Sequence, residues 1–182
     1  MKEIEVKAKI TDIKSLTKKL IDIGFLFDPP RTQEDTIFLP LGIEYCGITK
    51  GTPVVRVRDS NGIISLTLKK RIISNNELIK LEKETVVSDK QQALEIVEHM
   101  GFHEVVRVNK KRTESKLGGM TVCIDEVEDL GSFIEVERLS YGDDHENIQS
   151  QLSDFLQTLG VGADDRITKG YDTLIYEKTK IL

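Results

Sequence analysis

The sequence contains no tryptophan, three histidines, two cysteines and four prolines in 182 residues, and aromatic side chains make up 5%. Cys46 and Cys123 lie far apart with no Cys-x-x-Cys, which excludes a disulfide framework and fits reduced thiols in a cytoplasmic protein. His99, His103 and His145 do not fall at metal-ligand spacing and are read as surface or packing groups. No apolar run approaches the ~20 residues needed to span a bilayer. Charge begins at residue 2, which is neither a secretory h-region nor an Arg-rich transit peptide. Acidic residues outnumber basic ones, 31 to 26, for a net charge of −5. With few aromatics and no concentrated basic stretch, that balance argues against nucleic-acid binding. The length suits one domain, residues 1–182, around one core.

What the chain has is charge, at 31% of residues, and its placement is informative. Residues 2 to 10 read Lys-Glu-Ile-Glu-Val-Lys-Ala-Lys-Ile. As a strand, this puts Glu3, Glu5, Lys7 and Lys9 on one face and Ile4, Val6, Ala8 and Ile10 on the other. Carboxylates beside amines on one face can hold a metal and an adjacent anion; the wet side of an amphipathic strand has the same pattern.

Asp12 is placed to cap a helix carrying Ile13, Leu16, Leu20 and Ile23, ended by Gly24. Pro29-Pro30 precedes a strand at 32–39, and the glycine-rich stretch 40–52 reads as a loop. A hairpin at 54–59 and 63–70 turns at Asn61-Gly62. A strand at 78–87 leads into a helix capped by Ser88 or Asp89 and closed by Gly101. A second hairpin, 104–116 and 120–126, turns at Gly118-Gly119. A strand at 132–139 and helices at 145–159 and 169–178 complete the chain, with Asp143-Asp144 capping the first of these. Gly24-Phe25 and Gly101-Phe102 end the first two helices alike, consistent with an internal duplication.

The alternation recurs along the chain. Arg56 and Arg58 oppose Val55 and Val57; Ser65, Thr67 and Lys69 oppose Ile64, Leu66 and Leu68. Lys110 and Arg112 share a face with Glu114, and Cys123 shares one with Asp125. Phe133, Glu135 and Glu137 oppose Ile134 and Val136, and Lys80, Glu82 and Glu84 sit together. Lys70 and Lys111 point the other way, so the basic clusters do not join into one external stripe. Phe38 and Phe133 are read as core, and Glu126, Glu128 and Asp129 as a solvated turn. The polar faces fit either an open sheet facing water or a closed barrel with helices outside and charges in the lumen. A charged lumen must be wet and filled with opposite charges, metal ions or an anionic ligand.

In order along nearly the whole chain, these segments resemble the CYTH superfamily, named for class IV adenylyl cyclases and thiamine triphosphatases. Glu3, Glu5 and Lys7 match its Glu-x-Glu-x-Lys, and Asp35-Thr36-Ile37-Phe38 resembles its Asp-Thr-Tyr-Phe. Arg56-x-Arg58, Leu66-Thr67-Leu68-Lys69, Glu82-x-Glu84, Lys110-x-Arg112, Asp125 and Glu135-x-Glu137 follow. Lys169-Gly170-Tyr171 resembles a terminal basic-Ser-Tyr element, with Gly170 where Ser is usual.

The resemblance implies an α+β fold: an eight-stranded antiparallel β tunnel with helices outside, binding a nucleoside triphosphate or inorganic triphosphate. Lys7, Lys9, Arg56, Arg58, Lys69, Lys110, Arg112 and Lys169 would grip phosphate. Glu3, Glu5, Asp125, Glu135 and Glu137 would hold Mg²⁺ or Mn²⁺, which prefer oxygen ligands. Glu82 and Glu84 would support them, and Lys7, Glu5, Lys110 and Arg112 would act in catalysis. No nucleic-acid or membrane partner is implied, and a homodimer is suggested by the cyclase branch. Lys110-x-Arg112, and Asp125 ten residues before Glu135, look closer to that branch, which converts ATP to cyclic AMP and pyrophosphate. The paired Glu135 and Glu137 also occur among triphosphatases. A non-catalytic binder of polyphosphate or nucleotide would need a defect among the carboxylates, and none is evident.

Overall fold

The computed structural model describes residues 2–73 and 76–180. In chain order the elements are β1 (Lys2–Lys9), α1 (Ile13–Ile23), β2 (Arg31–Pro40), a 3-10 turn (Tyr45–Gly47), β3 (Pro53–Ser60), β4 (Ile63–Ile73) and β5 (Asn76–Val87). Then come α2 (Lys90–His99), β6 (Phe102–Leu117), β7 (Met120–Val127), β8 (Gly131–Ser140), α3 (His145–Thr158), β9 (Arg166–Ile167) and α4 (Tyr171–Thr179). Most strands run one to three residues past the expected bounds, whereas β1 stops at Lys9, one residue short. The two-residue β9 has no periodicity to announce it, and α4 begins at Tyr171 rather than 169.

Local chemistry sets the ends of these elements. The Asp12 and Asp89 carboxylates accept from the N–H groups of Ser15 and Gln92, capping α1 and α2. Gly24 is left-handed, φ 113°, and donates to the last α1 carbonyls while Phe25 N–H reaches Leu20 O. That bond pattern turns Phe25 into the core. The Asn61-Gly62 turn has φ of 50° and 86°, the doubly left-handed geometry that matches strand twist in a two-residue hairpin. Asp144 stands at the N-cap of α3, its carbonyl accepting from Ile148 N–H but its side chain making no bond to the helix backbone. Its carboxylate accepts from the Asn147 side-chain amide instead.

The strands pair antiparallel in the order β5-β4-β3-β2-β6-β7-β8-β1, and β5 returns to β1. The result is a closed eight-stranded antiparallel barrel. β1 pairs with β8 from Lys2 to Lys9 but with β5 only at Lys2, Glu3 and Ile4. β9 covers β1 beyond that seam, at Lys7 and Ala8.

Apolar faces point outward. α1 and α3 pack Leu16, Leu20, Leu152 and Leu156 over Ile4, Val6, Val122, Ile124, Ile134 and Val136. α2 packs Ala93 and Val97 over Phe38, Val55, Val57 and Ile64. A third cluster is inside. At one end of the lumen Ile37, Leu39, Val54, Val106, Val108 and Phe133 meet Tyr45 and Ile48 of the 40–52 segment and Tyr171 of α4. The barrel is therefore plugged at that end by apolar side chains of the same inward parity as the charges. Among the described residues no helix is long and apolar enough to cross a membrane.

Leu152 is fully buried between α3 and the barrel wall. Leu152→Ala leaves a cavity against β1 and β8, and denaturant unfolding is expected to show a loss of about 2–5 kcal/mol. A change within error would mean that α3 does not clamp the barrel.

Candidate active site in the barrel lumen

The lumen holds a cavity of about 440 Å³ lined by charged side chains from seven of its eight strands. β1 contributes Glu3, Glu5 and Lys7; β2 Asp35; β3 Arg56 and Arg58; β4 Lys69 and Arg71; β5 Lys80, Glu82 and Glu84. β6 adds Lys110, Arg112 and Glu114, and β8 adds Glu135 and Glu137. Asp125, from β7, lies behind Lys110 and Arg112 with no exposed surface.

These charges are interlocked. Arg112 grips Asp125 through Nε at 2.7 Å and Nη2 at 2.5 Å, and also contacts Glu135. Lys110 Nζ lies 3.3 Å from Asp125. Lys7 Nζ sits 3.0 Å from Glu135 and 3.4 Å from Glu5, and packs 4.0 Å from the centre of the Tyr171 ring. Arg58 holds Asp35 through two bonds of 2.6 and 2.7 Å. Arg56 donates to Thr67, Glu82 and Glu84 at 3.0–3.1 Å, and Lys69 lies 3.4 Å from Glu82. Lys80 bridges Glu3 at 2.9 Å and Glu5 at 2.6 Å. Breaking such a buried pair on one side strands a charge, at a cost of about 3–5 kcal/mol.

Proton affinities follow this wiring. Burial would raise the Glu135 carboxyl, but Lys7 and Arg112 outweigh it and hold the group well below the usual carboxylate range. Asp35 is likewise held down against burial, by Arg58 and then Arg56. Glu82 is held down by Lys69 and Arg56. Glu137 has no comparable cation: burial, with the charges of Glu3, Glu5 and Glu135, pushes it up to about 8 despite Arg112. Burial raises Glu3 too, Glu82 and Glu5 adding to the effect and Lys80 opposing it. Burial and the Arg112 charge lower Lys110 to about 8. Burial raises the Cys123 thiol, so it stays protonated.

Most of the expected site residues converge here, but two are placed differently. Lys9 keeps the parity of Glu3, Glu5 and Lys7, yet it is exposed. In register it lies beside Phe133, part of the plug, so by Lys9 the strand has run past the open lumen. The Lys169 ammonium turns away to Glu177, at 2.6 and 2.8 Å. The chain reaches the lumen there through backbone, the Lys169 carbonyl accepting from Lys7 Nζ at 3.2 Å. Asp125, expected as a metal ligand, has both carboxylate oxygens on Arg112 and Lys110, as Glu5 has its own on Lys7 and Lys80 and Glu135 its own on Lys7 and Arg112.

Lys80, Asp35, Arg71 and Tyr171 line the cavity without having been assigned to it. Alternation placed Lys80 with Glu82 and Glu84, which was the available signal. Tyr171 enters from a helix, where strand parity says nothing.

For a divalent metal, the donors at hand are all carboxylate oxygens, the set that Mg²⁺ and Mn²⁺ prefer. Glu82 Oε2 is buried without a partner, and Glu137 is crowded by carboxylates. The residues therefore suit such an ion in kind, although among the described residues no three acidic, His or Cys groups are already arranged to hold one. Arg56 Nε, also buried and unpartnered, offers a donor to a phosphate oxygen.

A closed antiparallel barrel whose lumen gathers basic and acidic side chains from nearly every strand is the architecture of a triphosphate tunnel. The CYTH domain family model matches residues 1–171, and the chain belongs to that family. Its members are enzymes, cyclases or triphosphatases, that act on triphosphates. The chain is 29% identical over 172 residues to an adenylate cyclase candidate of Methanocaldococcus jannaschii, MJ0240, covering 94% of this chain and 97% of that protein. The structure of PH1819 from Pyrococcus horikoshii OT3 superposes with a TM-score of 0.80 at 28% identity, covering 97% and 99% of the two chains. Hippeastrum HpAC1, an adenylyl cyclase candidate described as having a dominant triphosphatase activity, shares the fold. Its TM-score is 0.63 at 17% identity, with 100% and 97% covered.

The Glu137 carboxyl, at about 8 in the fold against an ordinary 4.5, gives a signed prediction for metal-free protein. Below about pH 4.5 both folded and unfolded states hold the proton. Between about 4.5 and 8 only the unfolded state ionises freely, so stability falls as pH rises, and above 8 this contribution is level. Thermal melts in chelator are expected to show that decline in the wild type and a shallower one in Glu137→Gln. Identical slopes would refute the crowding of Glu137.

Proposed function

We propose that this protein is a metal-assisted enzyme acting on a triphosphate, and that the reaction is the adenylyl cyclase one, ATP to cyclic AMP and pyrophosphate. The observation that carries the triphosphate reading is the convergence of Lys7, Arg56, Arg58, Lys69 and Arg112 on one 440 Å³ cavity. Linear triphosphate carries nearly four negative charges, and several cations held on separate rigid strands match it along its length. Arg56 and Arg58 offer planar paired donors to phosphate oxygens, while Lys69 and Lys7 act as mobile point charges.

Glu3, Glu5, Glu135 and Glu137 would hold Mg²⁺ or Mn²⁺. When bound, the ion neutralises phosphate charge and makes the attacking oxygen more acidic. In the cyclase reaction that oxygen is the ribose 3′-hydroxyl, which attacks the α-phosphorus as pyrophosphate leaves. Lys110, lowered to about 8, is the lumen amine suited to take the hydroxyl proton near neutral pH. Arg112, fixed by Asp125, is suited to stabilise charge on the phosphoryl oxygens without reorganising. The cyclase assignment draws on the spacing of the Lys110, Asp125 and Glu135 segments and on the full-length similarity to MJ0240.

One observation favours a second reading, hydrolysis of inorganic triphosphate. Phe38 and Phe133 are buried in packing clusters. The Tyr171 ring is covered by Lys7 and Lys110 at 4.0 and 4.9 Å. These three rings offer no free aromatic face to a base. The relation to HpAC1, described with a dominant triphosphatase activity, points the same way.

Purified protein incubated with ATP, tripolyphosphate or thiamine triphosphate, each with Mg²⁺ or Mn²⁺, decides between them by product. Cyclic AMP and pyrophosphate are expected; ADP or orthophosphate, with tripolyphosphate consumed faster than ATP, would replace the cyclase with the hydrolase. Under either chemistry Glu5→Gln is expected to cut turnover by about 100-fold, and Arg56→Ala to raise KM. Undiminished turnover in chelator would end the metal role. For Lys110 the expectation is a rise in kcat/KM through about pH 8 that disappears in Lys110→Arg. A limb unchanged by that substitution would assign the proton transfer elsewhere.

A further inference from the structure

Lys80 lies where the barrel closes. It is directly opposite Glu3 across the β1–β5 seam, the pairing that ends at Ile4. Beyond Ile4 no β5 residue is in register with Glu5, and Lys80 spans the gap. Its Nζ stands 2.9 Å from Glu3 Oε1 and 2.6 Å from Glu5 Oε2. One nitrogen thus holds together two carboxylates from the same face of β1. Glu5 is almost fully buried, and Glu3 and Lys80 are partly buried at the cavity wall.

We propose that the Lys80 ammonium is a resident counter-ion that occupies the divalent-metal position between Glu3 and Glu5, and yields it to the metal while moving to the polyphosphate. The inference rests on the reading of Glu3 and Glu5 as metal-holding carboxylates. An ion would bond the two oxygens at about 2.1 Å, closer than the ammonium does, so the Glu3 and Glu5 carboxylates would draw in around it as Lys80 leaves. The two cations cannot share the place, since a single and a double positive charge in contact repel strongly where water is scarce. The four-carbon lysine stem lets the ammonium swing without moving β5. Lys80 lines the same cavity as Arg56 and Lys69, so a released ammonium remains beside the phosphate-gripping cations. The same occupancy accounts for carboxylates that gather here without forming a ready metal arrangement among the described residues. Metal entry and anion entry are thereby linked: the ion frees a cation that the anion then uses.

The test is binding of Mn²⁺ alone, without nucleotide or polyphosphate, titrated through its electron paramagnetic resonance signal. Lys80→Met is expected to bind Mn²⁺ about 10-fold or more tightly than wild type. Lys80→Arg, which keeps the charge, is expected to bind no more tightly, and Glu5→Gln more weakly. If Lys80→Met matches or falls below wild type while Glu5→Gln still weakens binding, Lys80 is only a strut of the seam and the proposal is overturned. If Glu5→Gln leaves binding intact, the metal reading itself fails and the proposal with it. Should Lys80→Met not fold, a wild-type crystal soaked in Mn²⁺ decides. Lys80 displaced from both carboxylates supports the exchange, and Lys80 still bridging them beside a bound ion overturns it.

Discussion

Charge compensation inside the barrel is the constraint on which the rest of the structure depends. Carboxylates and cations removed from water are tolerable only when each finds an opposite partner at hydrogen-bond distance. Here the pairing runs around the lumen, Asp35 with Arg58, Glu82 with Arg56 and Lys69, Glu5 with Lys7 and Lys80, Asp125 with Arg112 and Lys110. Barrel closure brings about these pairs, since most join residues on different strands. The outer layer answers a simpler demand: apolar strand faces left outside the barrel need covering, and α1, α2 and α3 cover them.

An anion entering a lumen already neutralised by its own carboxylates must take cations away from them. The carboxylates so released are left charged in a poorly solvated space, which is costly unless another cation arrives. In the proposed reading, divalent metal and triphosphate would be complementary guests, each relieving the imbalance that the other creates. Glu137 exposes the imbalance before any guest enters, since it lacks a cation of its own and holds a proton to about 8 instead. The apolar plug around Phe133 and Tyr171 closes one end. It also supplies a low-dielectric wall against which Lys7 and Lys110 are desolvated, which strengthens their hold on anything negative.

Much of this was readable from residue order. The parity of Glu3, Glu5 and Lys7, of Arg56 and Arg58, and of Glu135 and Glu137 places them on faces opposite apolar residues, and those faces are the inner ones. Parity also set the limits of the reading. It cannot say how far along a strand the open lumen extends, so Lys9 was expected inside although the strand has passed the plug at that point. It does not apply to Lys169, which precedes a helix. Asp125 shows a third limit: its face was right, but its bonds to Arg112 and Lys110 depend on how β6 and β7 pair.

The sequence by itself determined which side of most strands is charged, that a helix starts at Asp12 and another at Ser88 or Asp89, where the Asn61-Gly62 hairpin turns, and the family to which the ordered segments point. All of these depend on contacts within a few residues or on a period of two. Only the tertiary structure decided that the charged faces turn inward, which carboxylate meets which cation, and that Lys80 stands between Glu3 and Glu5. The last of these depends on the register of β1 against β5 across 75 or more residues of chain. Such a register is settled by closing the whole barrel, when packing on the outside and charge pairing on the inside must be satisfied together.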